Sequence, residues 1–288
     1  MKNSISFCFL LVFSCHLFGQ GIGINKINIT PTAKTYRIED LNGDGLPEII
    51  ATGSFWDTEL YLNKGNFQFK YINLDKDPGR TATFSNQTGY IDFDRDGDKD
   101  LVHSDCSSCG DNGVNLYTNE NFESFPKKLN IASSPGSDAI YAAFDVNKDS
   151  YEDLIVSGNK TTLYINDAGK EFKAGIILSP IGHADYLHHQ DVNKDGFVDL
   201  IAKSSKDVFI FLNTNGNFGT GLKLSNYDLT GYISTKDLNG DGILDYYTSY
   251  NYCLKSMVSN LSKTDFFDPV NTIYCGNSSE PRHDLVDI

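Results

Sequence analysis

Acidic and amide side chains recur at fixed offsets in five short segments of this 288-residue chain. Counted from the first Asp of each segment, positions 1, 3, 5, 7 and 9 are Asp40, Asn42, Asp44, Leu46 and Glu48; Asp92, Asp94, Asp96, Asp98 and Asp100; Asp145, Asn147, Asp149, Tyr151 and Asp153; Asp191, Asn193, Asp195, Phe197 and Asp199; and Asp237, Asn239, Asp241, Ile243 and Asp245. Position 6 is Gly45, Gly97, Ser150, Gly196 and Gly242. Side-chain oxygens at positions 1, 3 and 5 converge on one point if the backbone turns tightly, and glycine at position 6 allows that turn because it accepts positive φ. A hard cation such as Ca2+ takes about six to eight oxygens. The main-chain carbonyl at position 7 and the acid at position 9 complete such a set, so the sequence predicts up to five bound Ca2+.

These are not helix–loop–helix calcium sites. Those require a bidentate Glu at position 12, and position 12 here is Ala51, His103, Val156, Ala202 and Thr248. Loop 2 carries acids at positions 1, 3, 5 and 9 and is expected to bind most tightly. Loop 3 has Ser150 where glycine is wanted; a left-handed non-glycine residue costs on the order of 1 kcal/mol, so loop 3 is expected to be weakest. Packed carboxylates repel one another without metal, which makes the expected role of calcium structural.

The first residues of the loops lie 52, 53, 46 and 46 positions apart. A period near 50 residues marks a repeat architecture. Each loop runs into an apolar strand, as in Ile49-Ile50-Ala51 or Leu154-Ile155-Val156. A second strand follows and ends in Asn63, Asn119, Asn166, Asn213 or Asn260. A turn then leads to Phe67, Phe122, Phe172, Phe218 or Phe266 and an outer strand. A Tyr-containing strand precedes every loop, through Tyr36, Tyr90, Tyr141, Tyr186 and Tyr232. Four short strands per unit, with no sustained helical period, predict an all-β propeller of four-stranded blades. Five full repeats are present. Ile24–Ile29 reads as part of a first unit and His283–Ile288 as the start of a sixth, so the ring is either incomplete or, alternatively, closed with five blades.

The pattern Asp-x-Asx-x-Asp-Gly-x-x-Asp-Leu, then strand, turn, strand and Asn-x-x-Gly-x-Phe, resembles the FG-GAP/VCBS repeat family over residues 22–288. The resemblance implies a calcium-stabilised propeller in a secreted or surface protein. Family functions range from adhesion through carbohydrate binding to accessory domains of enzymes, and fold alone does not choose among them.

Composition narrows the partners. Net charge is −14, and 16 of the 38 acidic residues sit at loop positions 1, 3, 5 and 9. Phosphate backbones need a basic surface, so nucleic acid is not expected. Lys2 followed by the apolar run Ile5–Phe13, with Gly19-Gln20 as a cleavage point, reads as a secretory signal over residues 1–19, leaving residues 20–288 as one domain. The run is too short to span a bilayer, and no transmembrane segment is expected. Val12–Cys15 weakly resembles a lipoprotein processing site with Cys15 as anchor, which the bulky Phe13 opposes. Cys106, Cys109, Cys253 and Cys275 remain in the exported chain and suggest two disulfides; of three connectivities, 106–109 with 253–275 is the simplest.

Motifs for catalysis are missing: the sequence contains no Gly-x-Ser-x-Gly and no His-Glu-x-x-His. His183, His188 and His189 cluster before loop 4, and adjacent strand residues face opposite sides, so they read as packing or surface residues. The expectation is a non-enzymatic module for protein or carbohydrate, with Phe55, Trp56 and Asp57 as candidate rim contacts. The alternatives are a polysaccharide lyase or hydrolase on a propeller scaffold, and a structural spacer.

Overall fold

The computed structural model describes residues 33–53, 58–66, 68–73, 89–104, 113–120, 125–133, 139–205, 207–224, 232–250, 253–260, 267–268 and 271–275. The signal region, both partial terminal units, Phe55–Asp57, Phe67, Phe122, Phe266, Cys106 and Cys109 lie outside these residues.

β-branched and aromatic runs separated by Gly, Asn and Asp turns form twenty-two strands among the described residues, and no helix. The first sheet is β1 (Ala33–Glu39), β2 (Glu48–Gly53), β3 (Thr58–Asn63) and β4 (Phe69–Asn73). The second is β5 (Gly89–Ile91), β6 (Asp100–Ser104), β7 (Gly113–Tyr117) and β8 (Lys127–Ser133). The third is β9 (Ile140–Phe144), β10 (Asp153–Ser157), β11 (Thr161–Tyr164) and β12 (Ile176–Ile177). In the fourth, β13 (Tyr186–Gln190), β14 (Asp199–Ser204) and β15 (Asp207–Phe211) are followed by the small hairpin β16 (Asn213–Thr214) and β17 (Asn217–Phe218) before the outer strand β18 (Leu222–Lys223). The fifth is β19 (Tyr232–Lys236), β20 (Asp245–Tyr250), β21 (Cys253–Met257) and β22 (Asn271–Cys275). Every sheet is an antiparallel meander in chain order. Each acidic loop joins the first two strands of its sheet.

Alternation along each second strand sends successive side chains to opposite faces, and among the described residues both faces of the three middle sheets pack against neighbouring sheets. Ile50, Leu60 and Leu62 of the first sheet pack with Leu101, Tyr117 and Phe125 of the second. Val102, Val114 and Leu116 meet Leu154 and Val156; Ile155 and Leu163 meet Leu200, Ala202 and Phe211; Ile201, Val208 and Ile210 meet Tyr246, Met257 and Phe267. The core is therefore four inter-sheet layers in series. At Gly89 on β5, an added Cβ would fall 2.6 Å from Cβ of Tyr141 on β9. The first strands of the second, third and fourth sheets thus lie side by side, as the inner strands of propeller blades do. This is a propeller-like all-β fold, and among the described residues no helix is long and apolar enough to cross a membrane.

Candidate metal centre

All five loops share one backbone form. Position 6 has positive φ throughout: Gly45 82°, Gly97 94°, Ser150 74°, Gly196 91° and Gly242 82°. So does position 4, which is Gly43 at 67°, Arg95 at 62°, Lys148 at 61°, Lys194 at 59° and Gly240 at 78°. The double left-handed bend folds the loop onto its own acids. In loop 4, the Gly196 N–H donates to Asp191 Oδ2 at 2.7 Å, the Asp195 N–H to Asn193 Oδ1 at 3.0 Å, and the Phe197 N–H to Asp195 Oδ1 at 2.8 Å. Loops 1, 3 and 5 repeat this set within 2.8–3.0 Å. Positions 1, 3 and 5 are thereby gathered around one point. In loop 2 an oxygen from each of Asp92, Asp94 and Asp96 lies within 4.8 Å of the others.

Position 9 behaves differently. Glu48, Asp100, Asp153, Asp199 and Asp245 are buried beneath their loops. One carboxylate oxygen accepts the position-2 N–H, from Leu41, Phe93, Val146, Val192 or Leu238. The other accepts an N–H at or just beyond the end of the third strand, from Asn63, Asn119, Asn166, Asn213 or Ser259. This acid pins the loop to its blade whatever else it binds. In the fifth blade the residue so pinned is Ser259 rather than Asn260. Phe125 and Phe267 pack at the contact with the preceding blade, and Phe69 packs on Ile49, Ala51 and Tyr61 of its own blade; Phe67, Phe122 and Phe266, to which spacing points, lie outside the described residues. Phe172 and Phe218 stand as expected.

The residues fit a hard divalent cation. Asp40 Oδ1, Asp92 Oδ1 and Asp98 Oδ1 are hidden from solvent without a hydrogen-bond donor, and a buried carboxylate oxygen needs a positive partner. Burial pushes Asp98 up to about 7, helped by Asp96 and Asp100, and pushes Asp100 up to about 7 despite its two N–H donors. Burial likewise raises Asp153 and Asp199 to about 6, and raises Glu48 and Asp92. The side chain of Asp98 thus joins the acids of loop 2, where sequence reasoning had used only its carbonyl. Tyr151 and Phe197 at position 7 are half-buried, Ile243 is buried, and Leu46 is exposed.

The histidines split between interfaces. His188 lies 5.7 Å, centroid to centroid, from Tyr246 of the fifth blade, and His189 stacks at 4.5 Å on Phe144 of the third. His183 Nδ1 lies 3.0 Å from the Gly158 carbonyl oxygen. All three serve blade packing or turns. Cys253 and Cys275 are directly opposite in the β21–β22 register.

Residues 40–103 and 191–248 match the FG-GAP-like repeat family. No curated protein matches the chain. Among solved structures, an Agrocybe aegerita lectin described for specific recognition of non-reducing terminal N-acetylglucosamine is similar, with TM-score 0.60 and 18% identity over 84% of this chain and 66% of that one. The biofilm matrix protein Bap1 of V. cholerae has TM-score 0.40 and 14% identity over 78% of this chain and 36% of Bap1, too low to carry an argument. The chain thus spans slightly less than two thirds of the lectin and about a third of Bap1. The loops and blades of the described residues agree with the family match, and the chain carries FG-GAP-like repeats over residues 40–103 and 191–248.

Proposed function

We propose that this chain is a calcium-stabilised binding module that acts outside the cell and presents its propeller rim to a carbohydrate. The observation that carries the calcium reading is the set of hidden carboxylate oxygens without donors in loops 1 and 2. Positions 1, 3 and 5 and the carbonyl at position 7 would hold the ion, and position 9 would orient the loop beneath it. A bound Ca2+ supplies positive charge that offsets the mutual repulsion of these acids. The apolar N-terminal run supports export, where millimolar calcium suits sites of the extracellular class.

Carbohydrate is favoured because the lectin shares the fold and covers most of this chain. Melting the protein in calcium chloride and in EDTA tests the first half. A free concentration some 20-fold above Kd adds roughly 2 kcal/mol per site, so the midpoint should fall markedly in EDTA, and identical curves would refute it. A glycan array that includes terminal N-acetylglucosamine, run with and without calcium, tests the second half. A blank array from folded, calcium-loaded protein would leave a protein-binding module or a structural spacer.

A further inference from the structure

Position 4 of the loops does something the cation cage does not need. In loops 1 and 5 it is glycine, which takes a left-handed backbone freely. In loops 2, 3 and 4 the same backbone is held by Arg95, Lys148 and Lys194. Each of these long cations reaches forward to the next loop. The Arg95 guanidinium sits over the ring of Tyr151, 5.1 Å from its centroid, and Lys148 Nζ sits 3.9 Å over the ring of Phe197. Tyr151 and Phe197 are both position 7 of the following loop. Loop 5 has the aliphatic Ile243 at position 7, and Lys194 Nζ instead donates to the Asp241 carbonyl at 2.6 Å. Loop 1, without a cation, is joined to loop 2 through backbone. Lys99 N–H donates to the Leu41 carbonyl at 2.6 Å, and a Cβ at Gly43 would strike the Gly97 carbonyl oxygen at 2.7 Å.

We propose that the position-4 cations are struts that couple each loop to the next, so that loops 2 to 5 take up divalent cation as a linked series and not as independent sites. The inference rests on the calcium reading above. Its physics is local ordering. An ion in one loop fixes that loop's left-handed turn and so aims its cation. An ion in the next loop fixes the position-7 carbonyl and so holds the ring beneath that cation. Each ion orders one half of the strut, and the second to bind meets a partner already ordered. Binding to a part already held in place is positively cooperative. Chemistry supports the direction of the series: a cation over an aromatic face is attracted, and the aromatic residues stand only where the preceding loop supplies a cation.

The test is a double-mutant cycle on the full chain with Phe197→Leu, which keeps every charge and the position-7 carbonyl, and Lys148→Met, which keeps the stem. Calcium titrations are followed by calorimetry, and urea midpoints are measured in EDTA. The wild type should give a steeper isotherm than either variant. Phe197→Leu should weaken binding by about two- to fivefold and should have no further effect in the Lys148→Met background. Equal slopes in all four proteins, or additive effects, would overturn the inference. A wild type that binds no calcium would refute the metal reading instead, and the EDTA midpoints would then judge the strut by the same additivity criterion. If Phe197→Leu does not fold, Arg95→Met with Tyr151→Leu is read in the same way.

Discussion

Ser150 is the one position-6 residue with a side chain, and its φ of 74° places it where L-residues are disfavoured. Glycine at this point removes the clash of Cβ with the following carbonyl. Ser150→Gly should therefore stabilise the protein by about 1 kcal/mol, read as a higher urea midpoint in EDTA; a lower midpoint would mean that the loop tolerates Ser150 for a reason other than conformation. This strain was legible from sequence because one residue type broke a fivefold pattern. The second left-handed residue, at position 4, was not. Glycine marks it in only two loops, and a basic residue gives no sign of its φ. The role of position 9 was half legible. Its acid was visible, but its two N–H donors come from residues 7 positions before it and 13 to 19 after it, a closure that only the folded blade reveals.

Between elements, the residue at the end of the third strand ties the third and fourth blades to the blade before. Asn213 is buried. Its Nδ2 donates to the Val146 carbonyl of the preceding blade at 2.8 Å and to the Val198 carbonyl of its own at 3.1 Å, while its Oδ1 accepts the Gly216 N–H at 2.9 Å. Asn166 makes the same three bonds with Phe93, Glu152 and Gly169. Asn213→Ala should cost about 3 kcal/mol, near 1 for each bond lost, and an unchanged denaturation midpoint would show that the bonds add nothing. Sequence spacing found this Asn in four blades and slipped by one in the fifth, where Ser259 occupies its place. It slipped because alignment by residue type preferred Asn260, whereas the fold counts strand register. In the fifth blade, the facing Cys253 and Cys275 are the pair that simple spacing had favoured. We expect a disulfide there, detected as a peptide pair that separates only on reduction; free thiols at both residues in protein prepared without reductant would refute it.

As a whole, the molecule is a series of blades in which each apolar layer belongs to two neighbours, so its stability is close to a sum of nearest-neighbour terms. The acids that sit above those layers set its response to pH. Asp98 and Asp100 are held at about 7, and Asp153 and Asp199 at about 6, all first by burial; Glu48 and Asp92 are raised for the same cause. Carboxylates in an unfolded chain titrate near about 4. Between that value and about 7 the folded, metal-free protein holds more protons than the unfolded chain, so stability falls as pH rises. Their contribution is complete below the unfolded value and is lost through the folded one. His188, lowered to about 4 by burial and then by His189, and His189, lowered by burial, act in the opposite sense as pH drops below about 6.5. Six raised carboxylates against two lowered imidazoles leave the acids in control. In EDTA the melting midpoint should therefore decline from pH 5 to pH 7. Calcium binds the ionised form, and linkage then favours the folded state as those protons leave. In millimolar calcium the decline should flatten or reverse over the same interval. Melting curves across this range in both buffers check the pair of slopes. A midpoint that climbs toward neutral pH in EDTA would show that the loop acids are relieved without metal, and would remove the electrostatic reason for calcium.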